Sequence, residues 1–266
     1  MRLVKKVFGS FKYSLLLLTF FLLIVACSKA PVTGRSQLIL ISESQEIQLG
    51  LTAYDQVLSS EKLSSNQEYV SAVKRVGNKI APFTEKNYNW RFNVIESSQV
   101  NAWCLPGGKI AFYEGILDIM ENEGQIAAVM GHEIAHAFAR HTVEKLTQAS
   151  MIQMATIGIS RSRYAELLNK SFRVGNVGGN VYNSVVKYGI FLPFSRKMES
   201  EADYLGMGFM NLAGFNIKEP ARLWQRMMAD QEGRMPEFMG SHPSPDNRSK
   251  KFLEWESEIV DKFPQV

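Results

Sequence analysis

The sequence predicts an α+β domain that is mainly α-helical, with a small β-sheet or hairpin beside one central helix. Apolar residues recur at helical spacing over most of the chain after residue 43. Two short stretches, Trp90–Glu96 and Asn101–Gly115, have the alternation and turn residues of strands. The 266 residues, 45% hydrophobic and 21% charged, suit one sizeable globular domain, which we expect to span residues 43–266.

The first 26 residues predict an export signal that is removed. A basic start is followed by an apolar run from Tyr13 to Ala26, which is too short to span a bilayer comfortably. The run ends in Ile24-Val-Ala-Cys27, which resembles a bacterial lipobox, so we expect Cys27 to carry lipid. Ser28 rather than Asp follows, which favours the outer membrane in Gram-negative bacteria. An uncleaved anchor, or secretion with a chance cysteine, is the alternative.

Charge and cysteine content give no support for a nucleic-acid-binding protein and exclude a disulfide-stabilised one. The signal holds four basic residues and no acid, so the mature chain has 26 basic and 26 acidic residues and offers no argument for a nucleic-acid partner. With Cys27 lipidated, Cys104 is left alone and a disulfide framework is excluded. The apolar neighbours of Cys104, Trp103 and Leu105, indicate a small buried hydrophobic residue.

The mature chain begins with a predicted tether over residues 27–42. Ser42-x-x-Gln45 is typical of a capping box and precedes a helix over Ser44–Leu58. A second helix is predicted over Asn66–Ile80, and Trp90–Glu96 is the first strand. Within Asn101–Gly115, a Pro-Gly-Gly turn predicts a hairpin or paired strands.

The stretch from Asn122 to about Ile159 is predicted to be strongly helical, and it contains the helix with His132-Glu133-x-x-His136. Histidines four residues apart lie on one helix face, so both imidazoles can reach one metal ion, for which zinc is the best fit. Glu133 then lies beside the open metal position and can act as a general base. The pattern alone is equally compatible with ordinary histidines. However, three of the four histidines, including His141, fall within ten residues.

The segment from Phe172 to Phe194 is rich in glycine and asparagine and then becomes apolar from Val185 onward. Three interpretations of Val185–Phe194 stay open: a mobile flap, a surface patch that touches lipid, or a packed core helix. The remaining predicted elements are a helix over Ser195–Leu212, a helix over Lys218–Asp230, a loop over Met235–Asn247 and a last helix from Asp246 to about Val260.

A hydrolytic zinc site needs three protein ligands and one open position. The candidates for the third ligand are Glu199, Glu201 and Asp203. Glu199 and Asp203 are four residues apart on one helix face, so this face can supply Glu199 as a ligand. Asp203 can then accept the free N–H of a ligating histidine. Arg196 is close enough in sequence to pair with either acid.

Several motifs occur together in one order along the chain. They are Pro31-Val-Thr-Gly-Arg-Ser-Gln-Leu38, Asn101-Ala-x-x-Leu-Pro-Gly-Gly108, Gly131-His-Glu-Ile-Ala-His136, Ser195-Arg-x-x-Glu199-x-Glu-Ala-Asp203-x-x-Gly206 and Ser241-His242-Pro243. This set resembles the gluzincin zinc metallopeptidases of the HtpX and CAAX prenyl protease type, metallopeptidase family 48. The bacterial lipoprotein and mitochondrial quality-control branch is the most similar.

The resemblance implies a zincin-like catalytic domain with one zinc ion per chain. It assigns His132, His136 and Glu199 as zinc ligands, Glu133 as general base and Asp203 as support for a histidine. It places His242 near the metal, either as a fourth, autoinhibitory ligand or as a group that stabilises the tetrahedral intermediate. Arg248 belongs to the same loop motif.

The hairpin strand at Asn101, Ala102 and Trp103 is predicted to hold substrate by adding it as another strand, with a purely structural hairpin as the alternative. The resemblance also implies an endopeptidase that faces the periplasm and acts on unfolded or misassembled envelope proteins. The rival hypothesis is a periplasmic chaperone or assembly factor whose zinc site is structural or closed. The oligomeric state and the cleavage preference stay open.

Overall fold

The computed structural model describes residues 27–157, 185–229, 236–242 and 247–265. Its strands are β1 (Cys27–Lys29), β2 (Ser36–Leu38), β3 (Arg91–Ile95), β4 (Ala102–Leu105) and β5 (Lys109–Tyr113). Its helices are α1 (Glu43–Ser60), α2 (Gln67–Ile80), α3 (Glu114–Leu117), α4 (Glu123–Phe138), α5 (His141–Ile157), α6 (Arg196–Leu212), α7 (Glu219–Ala229), α8 (Pro236–Ser241) and α9 (Arg248–Lys262). The predicted fold class, α+β and mainly α, is confirmed.

A three-stranded sheet has the order β3-β5-β4, with β3 parallel and β4 antiparallel to β5. The β4–β5 turn passes through Gly107 and Gly108 at φ values of 74° and 77°, a left-handed conformation that glycine adopts without steric cost. Strand β4 lies at the edge of the sheet and packs against α4. The small sheet therefore lies beside the helix that carries His132 and His136.

Helices α4 and α6 approach each other closely at two glycines. A Cβ atom on Gly206 would lie 2.8 Å from the carbonyl carbon of Gly131, and one on Gly131 would lie 2.8 Å from the carbonyl oxygen of Gly206. This contact brings Glu199 and Asp203 on α6 to the helix face of α4 that carries the histidines.

The stretch predicted to be strongly helical, Asn122 to about Ile159, contains two helices, α4 and α5. The chain breaks after α4, because Arg140 adopts a left-handed conformation with φ of 61°, and α5 begins at His141. The predicted loop over Met235–Asn247 is partly wrong, since it contains α8. The Ser42 capping box is confirmed: its side chain accepts the N–H of Gln45, whose side chain accepts from Ser42 N–H.

The predicted tether over residues 27–42 is more ordered than expected. Strands β1 and β2 form an antiparallel hairpin, which we call the N-terminal hairpin (residues 27–38). Its Arg35 forms ion pairs with Glu144 on α5 and Glu201 on α6. From this hairpin onward, the chain therefore contacts the folded domain.

The segment after residue 184 forms a π-helical turn, Lys187–Phe191, that packs against β4. Val185 and Ile190 are buried, which favours the packed-core interpretation of this segment. The predicted signal at residues 1–26 and the stretch 172–184 lie outside the described residues. Within the described part of the chain, no helix is both long and apolar enough to cross a membrane.

Candidate metal centre

His132 and His136 project from one face of α4 into a buried space. The two residues are 4% and 2% exposed, and their Nε2 atoms lie 3.0 Å apart. Glu199 on α6 faces both rings. Its Oε2 is 3.4 Å from His132 Nε2 and its Oε1 is 3.3 Å from His136 Nε2.

His242, which follows α8, completes the cluster. Its Nδ1 lies 3.2 Å from His132 Nε2 and 3.3 Å from Glu199 Oε1. One ligating atom from each of His132, His136, Glu199 and His242 falls within 4.8 Å of all the others. The structure thus brings the predicted ligands together and places His242 in the same cluster, as the resemblance implied.

The spacing of these atoms fits a zinc ion. Ligand atoms about 2.0–2.1 Å from a tetrahedral zinc lie about 3.3–3.4 Å from one another. The ligand–ligand distances of 3.0–3.4 Å given above for these four side chains agree with that spacing. In addition, no hydrogen-bond donor among the described residues reaches the buried Glu199 Oε2. A cation satisfies converging lone pairs that have no proton between them.

Asp203 and Arg248 lie on the Nδ1 side of the His132 ring. His132 Nδ1–H donates to Asp203 Oδ1 at 2.9 Å, which leaves the Nε2 lone pair facing the other ligands. Arg248 is 3% exposed, donates to the same Asp203 oxygen, and lies over the Trp224 ring at 3.8 Å. Arg248 Nη1 also lies 3.7 Å from Glu199 Oε2, so this cation faces both acids.

Glu133 lies beside the cluster without belonging to it. Its side chain is 1% exposed, and its Oε1 lies 3.5 Å from His242 Nε2. Burial raises the pKa of Glu133 above its usual value, which makes its carboxylate a stronger base. Burial also lowers the pKa of His136 well below its usual value, so this imidazole is neutral, as a metal ligand must be. For Glu199, burial acts to raise the pKa, but His242 and His132 outweigh it and hold that pKa well below the usual range.

The predicted pairing of Arg196 with Glu199 or Asp203 is wrong. Arg196 is exposed at the start of α6, and no described contact joins it to either buried acid. Arg248 from α9 occupies that position instead, since its guanidinium is buried between the two carboxylates. Arg196 was chosen because it is close to both acids in sequence, whereas the arginine that pairs with them lies on a different helix, α9.

The predicted substrate strand has the expected place at the sheet edge, and its role stays a prediction. Asn101 C=O accepts the Tyr113 N–H, and Asn101 Oδ1 accepts the Ala102 N–H at 2.9 Å. The Trp103 Nε1–H donates to Tyr113 Oη, which fixes its buried ring. Cys104 is buried, which confirms the interpretation as a small buried hydrophobic residue, and burial raises the pKa of its thiol well above the usual value.

Sequence reasoning missed a second group of buried polar residues. His141 is fully buried, with Nδ1 at 2.9 Å from His136 Nδ1 and Nε2 at 3.0 Å from Glu201 Oε2. Glu201 also accepts from Thr33 and Arg35 of the N-terminal hairpin. The presence of three histidines within ten residues could have indicated that His141 lies close to the metal ligands. Arg35 lies in the Pro31–Leu38 motif, but nothing local pointed to its pairing with Glu201.

The known proteins that this chain resembles are metallopeptidases. The sequence model of one family, described as Peptidase family M48, matches residues 64–256. The chain is 32% identical over 231 residues to the mitochondrial metalloendopeptidase OMA1 of Schizosaccharomyces pombe, covering 85% of this chain and 65% of that protein. It is 26% identical over 248 residues to metalloprotease YcaL of Escherichia coli, covering 86% and 94% of the two chains.

A third relative is the beta-barrel assembly-enhancing protease of Yersinia pestis. It is 24% identical over 223 residues, which cover 82% of this chain and 45% of that protein. The chain therefore spans less than two thirds of the length of OMA1 from Schizosaccharomyces pombe and about half of the Yersinia pestis protein.

Proposed function

The chain belongs to peptidase family M48, and on this premise we propose that it is a membrane-tethered, zinc-dependent endopeptidase of the cell envelope. Family membership and the names of the relatives confirm the predicted class of enzyme, a zinc metallopeptidase. The tether, the periplasm-facing orientation and the substrates, which we take to be misfolded or stalled envelope proteins, are parts of the proposal.

One observation carries the proposed activity. His132, His136 and Glu199 converge at tetrahedral spacing, and the Glu133 carboxylate is buried directly beside them. Three protein ligands and an adjacent general base are the components of a hydrolytic zinc site.

The residues around this point have separable tasks. When bound, zinc would polarise the scissile carbonyl and lower the pKa of an attacking water. Glu133 takes the proton of that water and passes it to the leaving amine, a task to which its raised pKa is suited. Asp203, held by Arg248, accepts the Nδ1–H of His132 and so keeps the His132 Nε2 lone pair free.

His242 fills the fourth position of the cluster and therefore has the role of a gate. Its Nδ1 lies 3.2 Å from His132 Nε2 and 3.3 Å from Glu199 Oε1, and a fourth protein ligand on a tetrahedral zinc would occupy the position of the attacking water. Catalysis then requires His242 to move aside, so removal of its imidazole should not slow cleavage. The same observation favours the second candidate, a chaperone or assembly factor whose zinc site stays closed.

The placement of β4 supports an extended substrate. This edge strand packs against α4, so a peptide added along its outer edge would run past the metal cluster. The relative named as a beta-barrel assembly-enhancing protease supports an envelope substrate for this chain.

Metal content and proteolysis, measured together, test the proposal. We would compare wild type, Glu133→Gln and His242→Ala on the purified chain from residue 28, with casein as an unfolded substrate. Glu123→Gln, an exposed change on the same helix, is the matched control. We expect about one zinc per chain throughout, cleavage lost only in Glu133→Gln, and cleavage unchanged or increased in His242→Ala.

Two outcomes would redirect the proposal. Zinc in every variant with no cleavage by wild type or His242→Ala, even of envelope proteins, would favour the closed-site chaperone. Wild-type cleavage by Glu133→Gln would exclude the proposed general base. The tether is tested separately by fatty-acid labelling: label should enter the full chain and be absent from Cys27→Ser.

A further inference from the structure

His136 has a buried partner on its second ring nitrogen that the proposed mechanism does not use. The turn at Arg140 ends α4 and starts α5 at His141, so the His141 ring folds back against His136. The two ring centroids lie 4.8 Å apart, and the two Nδ1 atoms are 2.9 Å apart. Two ring nitrogens at that distance share one proton, so one of them donates and the other accepts.

The contacts on the far side of His141 decide which nitrogen donates. His141 Nε2 faces Glu201 Oε2 at 3.0 Å, and the Arg35 guanidinium donates to the same carboxylate. A carboxylate beside an arginine is ionised and can only accept, so Nε2 of His141 carries the hydrogen. The neutral His141 ring then presents a lone pair on Nδ1, which accepts the Nδ1–H of His136. His136 is left with its Nε2 lone pair directed at Glu199 and His132.

The other ligating histidine is held in a similar way. His132 donates to Asp203, which is bound by Arg248. His136 is held through one additional imidazole. It contacts His141, His141 contacts Glu201, and Glu201 is bound by Arg35. Both ligands thus have their tautomer set by a carboxylate that is itself paired with an arginine.

We propose that His141, held by Glu201, is a positioning residue that fixes the orientation and tautomer of His136 as a metal ligand. We further propose that Arg35 of the N-terminal hairpin completes this support. Arg35 also binds Glu144 through both Nη atoms, at 3.0 and 2.7 Å, so the hairpin is fastened to α5 and α6 together. This inference rests on the proposed zinc site.

Zinc affinity, measured by competition with a chromophoric chelator, tests the proposal without using activity. We expect His141→Leu to bind zinc about 10–100-fold more weakly, because the Nδ1–H of His136 loses its acceptor. His141→Asn should retain most of the affinity, since its Oδ1 can stand where Nδ1 stands. Arg35→Met should show a smaller loss than His141→Leu.

Thr147→Val is the matched control. Thr147 is buried on the same helix and accepts the Leu40 N–H, but it has no route to a metal ligand. Thermal unfolding of each zinc-free variant separates a change in stability from a change in affinity. Equal zinc affinity in wild type, His141→Leu and Thr147→Val would overturn the inference, and so would an equal loss in His141→Asn and His141→Leu.

Nitrogen NMR of the zinc-loaded chain gives a second readout. With only four histidines in the chain, the tautomer of each ring can be assigned. We expect His136 to carry its hydrogen on Nδ1 and His141 on Nε2. The reverse assignment for His141 would overturn the inference, whereas failure of wild type to bind zinc would overturn the proposed function instead.

Discussion

Replacing Gly206 by alanine should weaken the metal centre through the backbone, without contacting a ligating side chain. The added Cβ would lie 2.8 Å from the Gly131 carbonyl carbon and from the His132 amide nitrogen, both backbone atoms. Ordinary contact at 3.4 Å requires α4 and α6 to separate by about 0.6 Å. Such overpacking costs about 1–3 kcal/mol, against about 1 kcal/mol gained in helix propensity.

The separation would also be transmitted to the ligands. Glu199 lies on α6 and His132 on α4, so moving the helices apart lengthens the 3.4 Å gap between Glu199 Oε2 and His132 Nε2. Since metal sites tolerate displacements of only about 0.5 Å, we expect zinc affinity to fall at least about tenfold. Chelator competition measures the affinity, and thermal unfolding of the zinc-free protein measures the stability.

Gly208→Ala is the control on the same helix. Its Cβ would lie 2.9 Å from the ring of Phe263, a side chain near the end of the chain that can shift, and not from backbone. We expect Gly208→Ala to leave zinc affinity unchanged. If Gly206→Ala binds zinc as tightly as wild type, or if both variants lose affinity equally, the reasoning about helix approach is refuted.

Three further predictions concern charge and metal. Asp203→Ala should weaken zinc binding about 10–100-fold, because the Nδ1–H of His132 loses its acceptor; unchanged chelator competition would contradict this. Burial raises the pKa of Glu46 from 4.5 to about 7 even though Arg140 acts to lower it. The folded state therefore binds a proton that the unfolded state releases, and stability should fall by about 3 kcal/mol as pH rises from 4.5 to about 7. Urea unfolding of Glu46→Gln should lack this loss, and an equal pH dependence in both proteins would exclude the assignment. Zinc at about 100 times its Kd should stabilise wild type by about 2.7 kcal/mol, and Glu199→Ala should show little of this gain in the same thermal assay.

Local spacing made one half of the site predictable. His132 and His136 are neighbours on α4 for the same reason that Glu199 and Asp203 are neighbours on α6: residues four apart share a helix face. The hairpin beside α4 was likewise predictable, because its turn depends on Gly107 and Gly108 at adjacent positions.

The sequence by itself thus determined most of the helices, the hairpin, the zinc-binding pattern and the class of chemistry, all of which depend on short-range spacing. Only the tertiary structure decided that Arg248 faces Asp203 in place of Arg196, that the His242 ring lies against His132 and Glu199, and that Arg35 reaches Glu201 across 166 residues of sequence. These contacts join separate elements, and their existence depends on how closely α4 and α6 approach and on the turn at Arg140. Helical periodicity places residues on a face, whereas packing between elements determines which side chains meet there.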